Sequence, residues 1–230
     1  MNEIMHVFLK IYNFKGIMQA LSSRHIAKED SVMKKTVWSL LLVLLFSLAF
    51  AYAGDETKQA EKRMKPVLLV IDIQNQYLPY MSDEDKKFSL EMINYAISMF
   101  REHGFPIIRV YHTDLKEGPK PGTEAFEFPA SIKIKDEDIK VIKNYPSAFT
   151  KTDLEKILRE KDCNTVFLCG LSSVGCVLAT YFGAMDREFD VFMLKDALLS
   201  HDGEYTDFIE EITDAVGYRS LKAMLENAQK

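Results

Sequence analysis

Tryptophan occurs once and cysteine three times in 230 residues, and basic side chains do not outnumber acidic ones: 29 Lys or Arg stand against 34 Asp or Glu, a net charge of −5. The missing basic excess, with no basic strip interleaved with aromatics, argues against nucleic acid as a partner. Cys163 and Cys169 lie six residues apart on one extended run, roughly 20 Å at about 3.3 Å per residue. A disulfide spans only about 4.4 to 6.8 Å between Cα atoms, so these two are not expected to pair. Internal repeats and low-complexity tracts are also missing, which leaves an ordinary globular domain.

Long apolar runs are scarce as well, and the one that stands out is near the start. Val37 to Phe50 follows Met33-Lys34-Lys35, and Ala51-Tyr52-Ala53 gives a small-x-small cleavage pattern. This reads as a secretory signal, so the protein is expected to be exported, periplasmic or secreted. Residues 1–53 are then an N-terminal extension plus signal peptide, with Met33 as the effective start and cleavage after Ala53. Thr36 to Ala53 is also about long enough to span a bilayer, so a retained anchor stays open. Residues 1–53 hold six Lys or Arg and three Asp or Glu, so the remaining 177 carry 23 basic and 31 acidic residues, a net −8. Such a length suits one domain, with no membrane contact after cleavage: a polar linker over 54–66, then a folded unit over 67–230.

Within that unit, short apolar runs alternate with helical stripes. Val67 to Ile71 is too short for a typical helix and rich in β-branched residues, which predicts a buried strand with Asp72 at its mouth. Ile139 to Ile142 is a second strand ending at Lys143. Thr165 to Cys169 is a third, followed by the link Gly170 to Gly175, Cys176 and a helix starting at Val177. Ile107–Tyr111 and Asp190–Leu194 give two more strands. Helices are predicted over Lys87–His103, Thr152–Glu160, Glu204–Ala215 and Arg219–Ala228. Thr113 to Ala130, with Pro119, Pro121 and Pro129, is predicted to be a loop over the site. Cys169 is expected in the core and Cys163 near the surface.

This alternation predicts an α/β fold, a three-layer α/β/α sandwich of Rossmann type on five or six parallel strands. In such sheets ligands bind outside the carboxyl ends of the strands, where Asp72, Lys143 and Cys176 can meet. Alone, each has an ordinary reading: a buried small hydrophobe for Cys176, a solvated strand end for Lys143, a turn or cap for Asp72.

Together with their flanks they carry a resemblance. Val70-Ile71-Asp72-Ile73-Gln74-Asn75, Val141-Ile142-Lys143 followed by Ser147-Ala148-Phe149, Gly122-Thr123-Glu124-Ala125, Gly170 through Val177, then Ala184 and Asp196-Ala197 occur in this order. Over roughly residues 65–200 the chain resembles the isochorismatase-like cysteine hydrolases, which include nicotinamidases and N-carbamoylsarcosine amidase. The resemblance implies Cys176 as nucleophile, Asp72 as general acid and base, and Lys143 as a fixed positive charge. It also implies an oxyanion hole from the Ser172 and Cys176 amides, a cis Leu171–Ser172 peptide, a small-molecule substrate and a homo-oligomer. A helix N-terminus and Lys143 would both favour the thiolate of Cys176.

Departures from the family pattern bear on the substrate. The metal-binding members use an Asp-x-His pair and a further His, whereas the domain here has only His103, His112 and His201, so no metal or other cofactor is expected. Gln76-Tyr77 stands where many members have Asp-Phe, and Glu188 replaces a usual glycine. Tyr77, His112, Tyr145 and Phe149 are candidate substrate walls, with core packing equally compatible for each. The implied activity is hydrolysis of an amide-type C–N bond through a thioester, because true isochorismatases, which cleave a vinyl ether, lack the nucleophile. A thiol redox or binding protein on the same fold, and a non-catalytic assembly subunit, remain as alternatives.

Overall fold

The computed structural model describes residues 63–114 and 116–229. The expected leader, its cleavage site and residues 54–62 of the expected linker lie outside the described residues.

Five strands form one parallel sheet: β1 (Pro66–Ile71), β2 (Ile107–His112), β3 (Ile139–Lys143), β4 (Thr165–Leu171) and β5 (Asp190–Leu199). Their order is β3-β2-β1-β4-β5. All six residues of β1 and all seven of β4 are buried, which is why both read as unbroken apolar runs rather than as alternating ones. The pleat still sorts their side chains. Leu68 and Val70 face one core with α1 (Asp83–Glu102) and α5 (Tyr218–Ala228). Val67, Leu69 and Ile71 face the other, with α2 (Leu154–Glu160), α3 (Leu178–Met185) and Ile209 of α4 (Gly203–Ile212). The architecture is the expected three-layer sandwich with five strands. None of the helices among the described residues is long and apolar enough to cross a membrane.

Several boundaries differ from expectation for local reasons. Helix α1 starts at Asp83, four residues before Lys87, because Ser82 caps it by accepting from the Asp85 amide and three acidic residues fill its first turn. An apolar stripe cannot register that polar turn. Strand β5 continues past Leu194 to Leu199: a bulge at Lys195-Asp196 interrupts the ladder, and Leu198 and Leu199 then pair with Gly170 and Leu171. Asp196 takes φ 65° there, and its amide donates to Glu210 Oε1 at 2.7 Å. Cys163 is buried in the second core, not near the surface, because its neighbours Lys161 and Asp162 turn outward while its side chain packs under α2.

Gly170 is a position in the sheet where the backbone tolerates no side chain. It has φ 120°, and a Cβ there would lie 2.1 Å from the Ile71 carbonyl oxygen. Gly170→Ala is expected to cost roughly 3 kcal/mol or more, from strain and forced separation of β1 and β4. Gly217→Ala, where nothing lies within 4 Å of the added carbon, should cost under about 1 kcal/mol. Denaturant unfolding of the two variants checks the contrast.

Candidate active site

Strand order reverses at β1: the chain moves outward to β2 and β3, then returns to place β4 on the other side. Ligand crevices form at such a switch point, outside the strand carboxyl ends. A cavity of about 480 Å³ lies there, with Asp72, Leu171, Ser172 and Cys176 among its lining residues.

Asp72 follows β1 directly, with φ 52° and only 2% exposure. Lys143 ends β3, two strands away, paired with His112 at the end of β2. Its fully buried side chain reaches past His112, and Nζ donates to Asp72 Oδ2 at 2.7 Å. The same Nζ lies 3.0 Å from His112 Nδ1. Gln74, fully buried, clamps the His112 main chain from both sides: Nε2 donates to its carbonyl at 3.0 Å and Oε1 accepts from its amide at 2.7 Å. The other carboxylate oxygen, Asp72 Oδ1, is buried without a hydrogen-bond partner. It is the acceptor left over for a proton arriving from the cavity.

Cys176 sits in the π-type turn Ser173–Val177, two residues before α3, with a kink at Gly175. Its sulfur, the Asp72 carboxylate and a ring nitrogen of His112 lie within 4.8 Å of one another. The Leu171–Ser172 peptide is cis. Ser172 accepts the turn's amides through its carbonyl, from Gly175 and Val177, while its own N–H enters no such bond among the described residues. That amide is available to an oxygen in the cavity.

Burial shapes the titration of the site. It raises the Asp72 carboxyl above the ordinary carboxylate range, against the pull of Lys143, which suits a proton acceptor. Burial first, then the charge of Asp72, pushes the Cys176 thiol up to about 12, with Lys143 opposing. Against the expectation of a favoured thiolate, desolvation outweighs the pull of the ammonium, and the resting thiol keeps its proton. Alkylation of Cys176 is therefore expected to be slow at pH 7 and to keep rising through pH 10, where an ordinary thiol, with a pKa of about 8.5, has levelled off. Asp72→Asn removes a charge that favours the neutral thiol and should speed the reaction. Iodoacetamide labelling followed by peptide mass spectrometry measures both.

The candidate walls separate. Tyr77 and His112 line the cavity, with ring centroids 6.3 Å apart. Tyr145 and Phe149 do not. Past β3 the chain turns toward α3, where the Ala148 amide donates to Thr180 Oγ1, and this carries Phe149 into the second core against Phe189. Tyr145 instead accepts a hydrogen bond from Lys151. The expected loop splits too: Asp114, Glu117 and Gly118 face the cavity, but Phe126 and Phe128 are buried and stack on Tyr111. Sequence reasoning missed Tyr80, Met81 and His201 as lining residues. His201 follows the end of β5, so the strand-end rule finds it once that strand is read to Leu199.

Asp72, His112 and Cys176 have a spacing at which three ligands can share a cation. Lys143 already supplies positive charge there, in contact with two of the three. A divalent ion would face a buried ammonium, so the set does not suit a metal.

Comparison with known proteins gives the family of the chain. The Isochorismatase domain family matches residues 66–218. The isochorismatase family protein YddQ of Bacillus subtilis is 30% identical over 141 residues, 58% of this chain and 77% of that protein. The crystal structure of N-carbamoylsarcosine amidase from Thermoplasma acidophilum has a TM-score of 0.59 at 25% identity, covering 67% of this chain and 95% of that one. Pyrazinamidase of Pyrococcus horikoshii, solved in complex with zinc, has a TM-score of 0.57 at 25% identity, covering 65% and 94%. The family match spans more than half of the chain and contains every residue placed around the cavity, so this protein belongs to the isochorismatase family of hydrolases.

Proposed function

We propose that the protein hydrolyses an amide-type C–N bond of a small molecule through a thioester on Cys176. The observation that carries this reading is the meeting of Asp72, Lys143 and Cys176 at the switch point of the sheet, with a buried unpaired carboxylate oxygen beside the thiol. Asp72 takes the thiol proton as sulfur attacks the carbonyl carbon. The Ser172 and Cys176 amides hold the oxygen as it becomes an oxyanion. Asp72 returns the proton to the leaving nitrogen as the C–N bond breaks. A water then gives a proton to Asp72 and attacks the thioester; the C–S bond breaks, the acid leaves and the thiol regains its proton. Lys143 keeps its protons throughout and balances the charge on Asp72.

The cavity also bears on charge. Asp114 and Glu117 line it, with no lysine or arginine among the lining residues, and Lys143 is committed to Asp72. Uncharged amides are the substrates this favours. An amide bearing a carboxylate should react more slowly, by a few-fold and less so at high salt, since exposed Asp114 and Glu117 repel it only through screened charge. Ammonia release from butanamide and from succinamate, an amide that bears a carboxylate, tests both points: butanamide is expected to be hydrolysed faster. Release from neither, or preference for succinamate, would count against the reading. The redox alternative lacks a partner thiol, because Cys169 is fully buried in β4 and Cys163 lies beyond that strand's opposite end.

A further inference from the structure

We propose that His112 determines specificity: Lys143 holds its ring in one neutral tautomer, so Nε2–H faces the cavity as a donor and selects amides with an uncharged acceptor beside the scissile bond. Calling the ligand a substrate rests on the hydrolase reading above; the tautomer and the contact do not.

An ammonium has donors only. Lys143 Nζ spends one on Asp72 Oδ2 at 2.7 Å and meets His112 Nδ1 at 3.0 Å, so Nδ1 is the acceptor. A neutral imidazole that accepts at Nδ1 carries its proton on Nε2. A protonated ring would turn N–H against N–H, and burial and Lys143 together hold His112 down to about 4. Gln74 holds the main chain of His112 through both its N–H and its carbonyl, so the ring meets Lys143 from a fixed backbone.

Nothing within the described residues accepts from Nε2, although His112 lines the cavity. Its ring lies close to Cys176 and Asp72, so an acceptor that meets it sits near the scissile carbonyl. Asp72 offers an acceptor there, and the Ser172 and Cys176 amides are committed to the carbonyl oxygen. His112 is thus a side-chain donor close to the reacting centre that can read a second group. Leaving a partly buried donor without a partner is penalised, and that penalty is the source of discrimination. The same tautomer also places a proton where a metal would need a lone pair.

Long-range 1H–15N NMR of the labelled protein at pH 7 tests the tautomer. The expected result is a neutral His112 with its proton on Nε2, and a mixture of tautomers in Lys143→Met. A proton on Nδ1, or an imidazolium, would overturn it. The contact is tested in Cys176→Ala, which cannot turn over, with 2-methoxyacetamide and its near-isostere butanamide. The Nε2 proton should move downfield with the ether and not with the alkane; a proton unmoved by 2-methoxyacetamide at any concentration refutes the contact, whatever the protein hydrolyses. In the unmodified protein the ether should be preferred in kcat/KM by about ten- to a hundred-fold. His112→Leu should shrink that preference through KM, and His112→Gln should partly restore it.

Discussion

Cys176→Ala is expected to lower amide hydrolysis by on the order of a million-fold, the scale on which an enzyme loses its covalent nucleophile. The effect should fall almost entirely on kcat, because the cavity walls and the Ser172 amide stay in place for binding. The fold should survive, since the side chain is only partly buried and the turn that carries it is held by the carbonyl of Ser172. Ammonia release, with circular dichroism as the check on folding, decides it. Activity within tenfold of the starting protein would remove sulfur from the chemistry and overturn the thioester.

Asp72→Asn should cost about 10²- to 10⁴-fold in kcat, toward the upper end because one carboxylate receives the thiol proton, returns it to the leaving nitrogen and then activates water. The substitution has a second consequence that Cys176→Ala lacks. It leaves Lys143 buried without its counter-charge, and breaking a buried pair from one side costs roughly 3 to 5 kcal/mol. Loss of turnover should therefore come with a lower unfolding midpoint and, from the removal of negative charge beside the thiol, faster alkylation. The pH profile carries the same signature. Asp72 must be ionised to accept the proton, and burial raises its pKa. Activity should therefore fall on acidification while an ordinary carboxylate would still be charged.

Much of this was legible in the chain because the site is built at strand ends. Asp72 and Lys143 each close an apolar run, and Cys176 follows one across a glycine-bearing link, so finding the strands locates all three. What the sequence concealed depends on how distant segments pack. Phe149 belongs to a motif shared with the family, yet the turn after β3 carries it to α3 and into the core. The bulge at Lys195-Asp196 hides the last residues of β5 and with them His201, because two charged residues look like the end of a strand. The ionisation of Cys176 was the least legible feature. Its sign depends on whether burial or Lys143 dominates, a balance set by how deeply α3 and β1 enclose the sulfur.

Intact-protein mass spectrometry of samples acid-quenched during turnover of butanamide tests the central claim most directly. The account predicts a transient mass increase equal to the butanoyl group, mapped to Cys176 and cleared as substrate runs out. Sustained ammonia release with no acyl adduct at any quench time, or with the adduct on another residue, would contradict it.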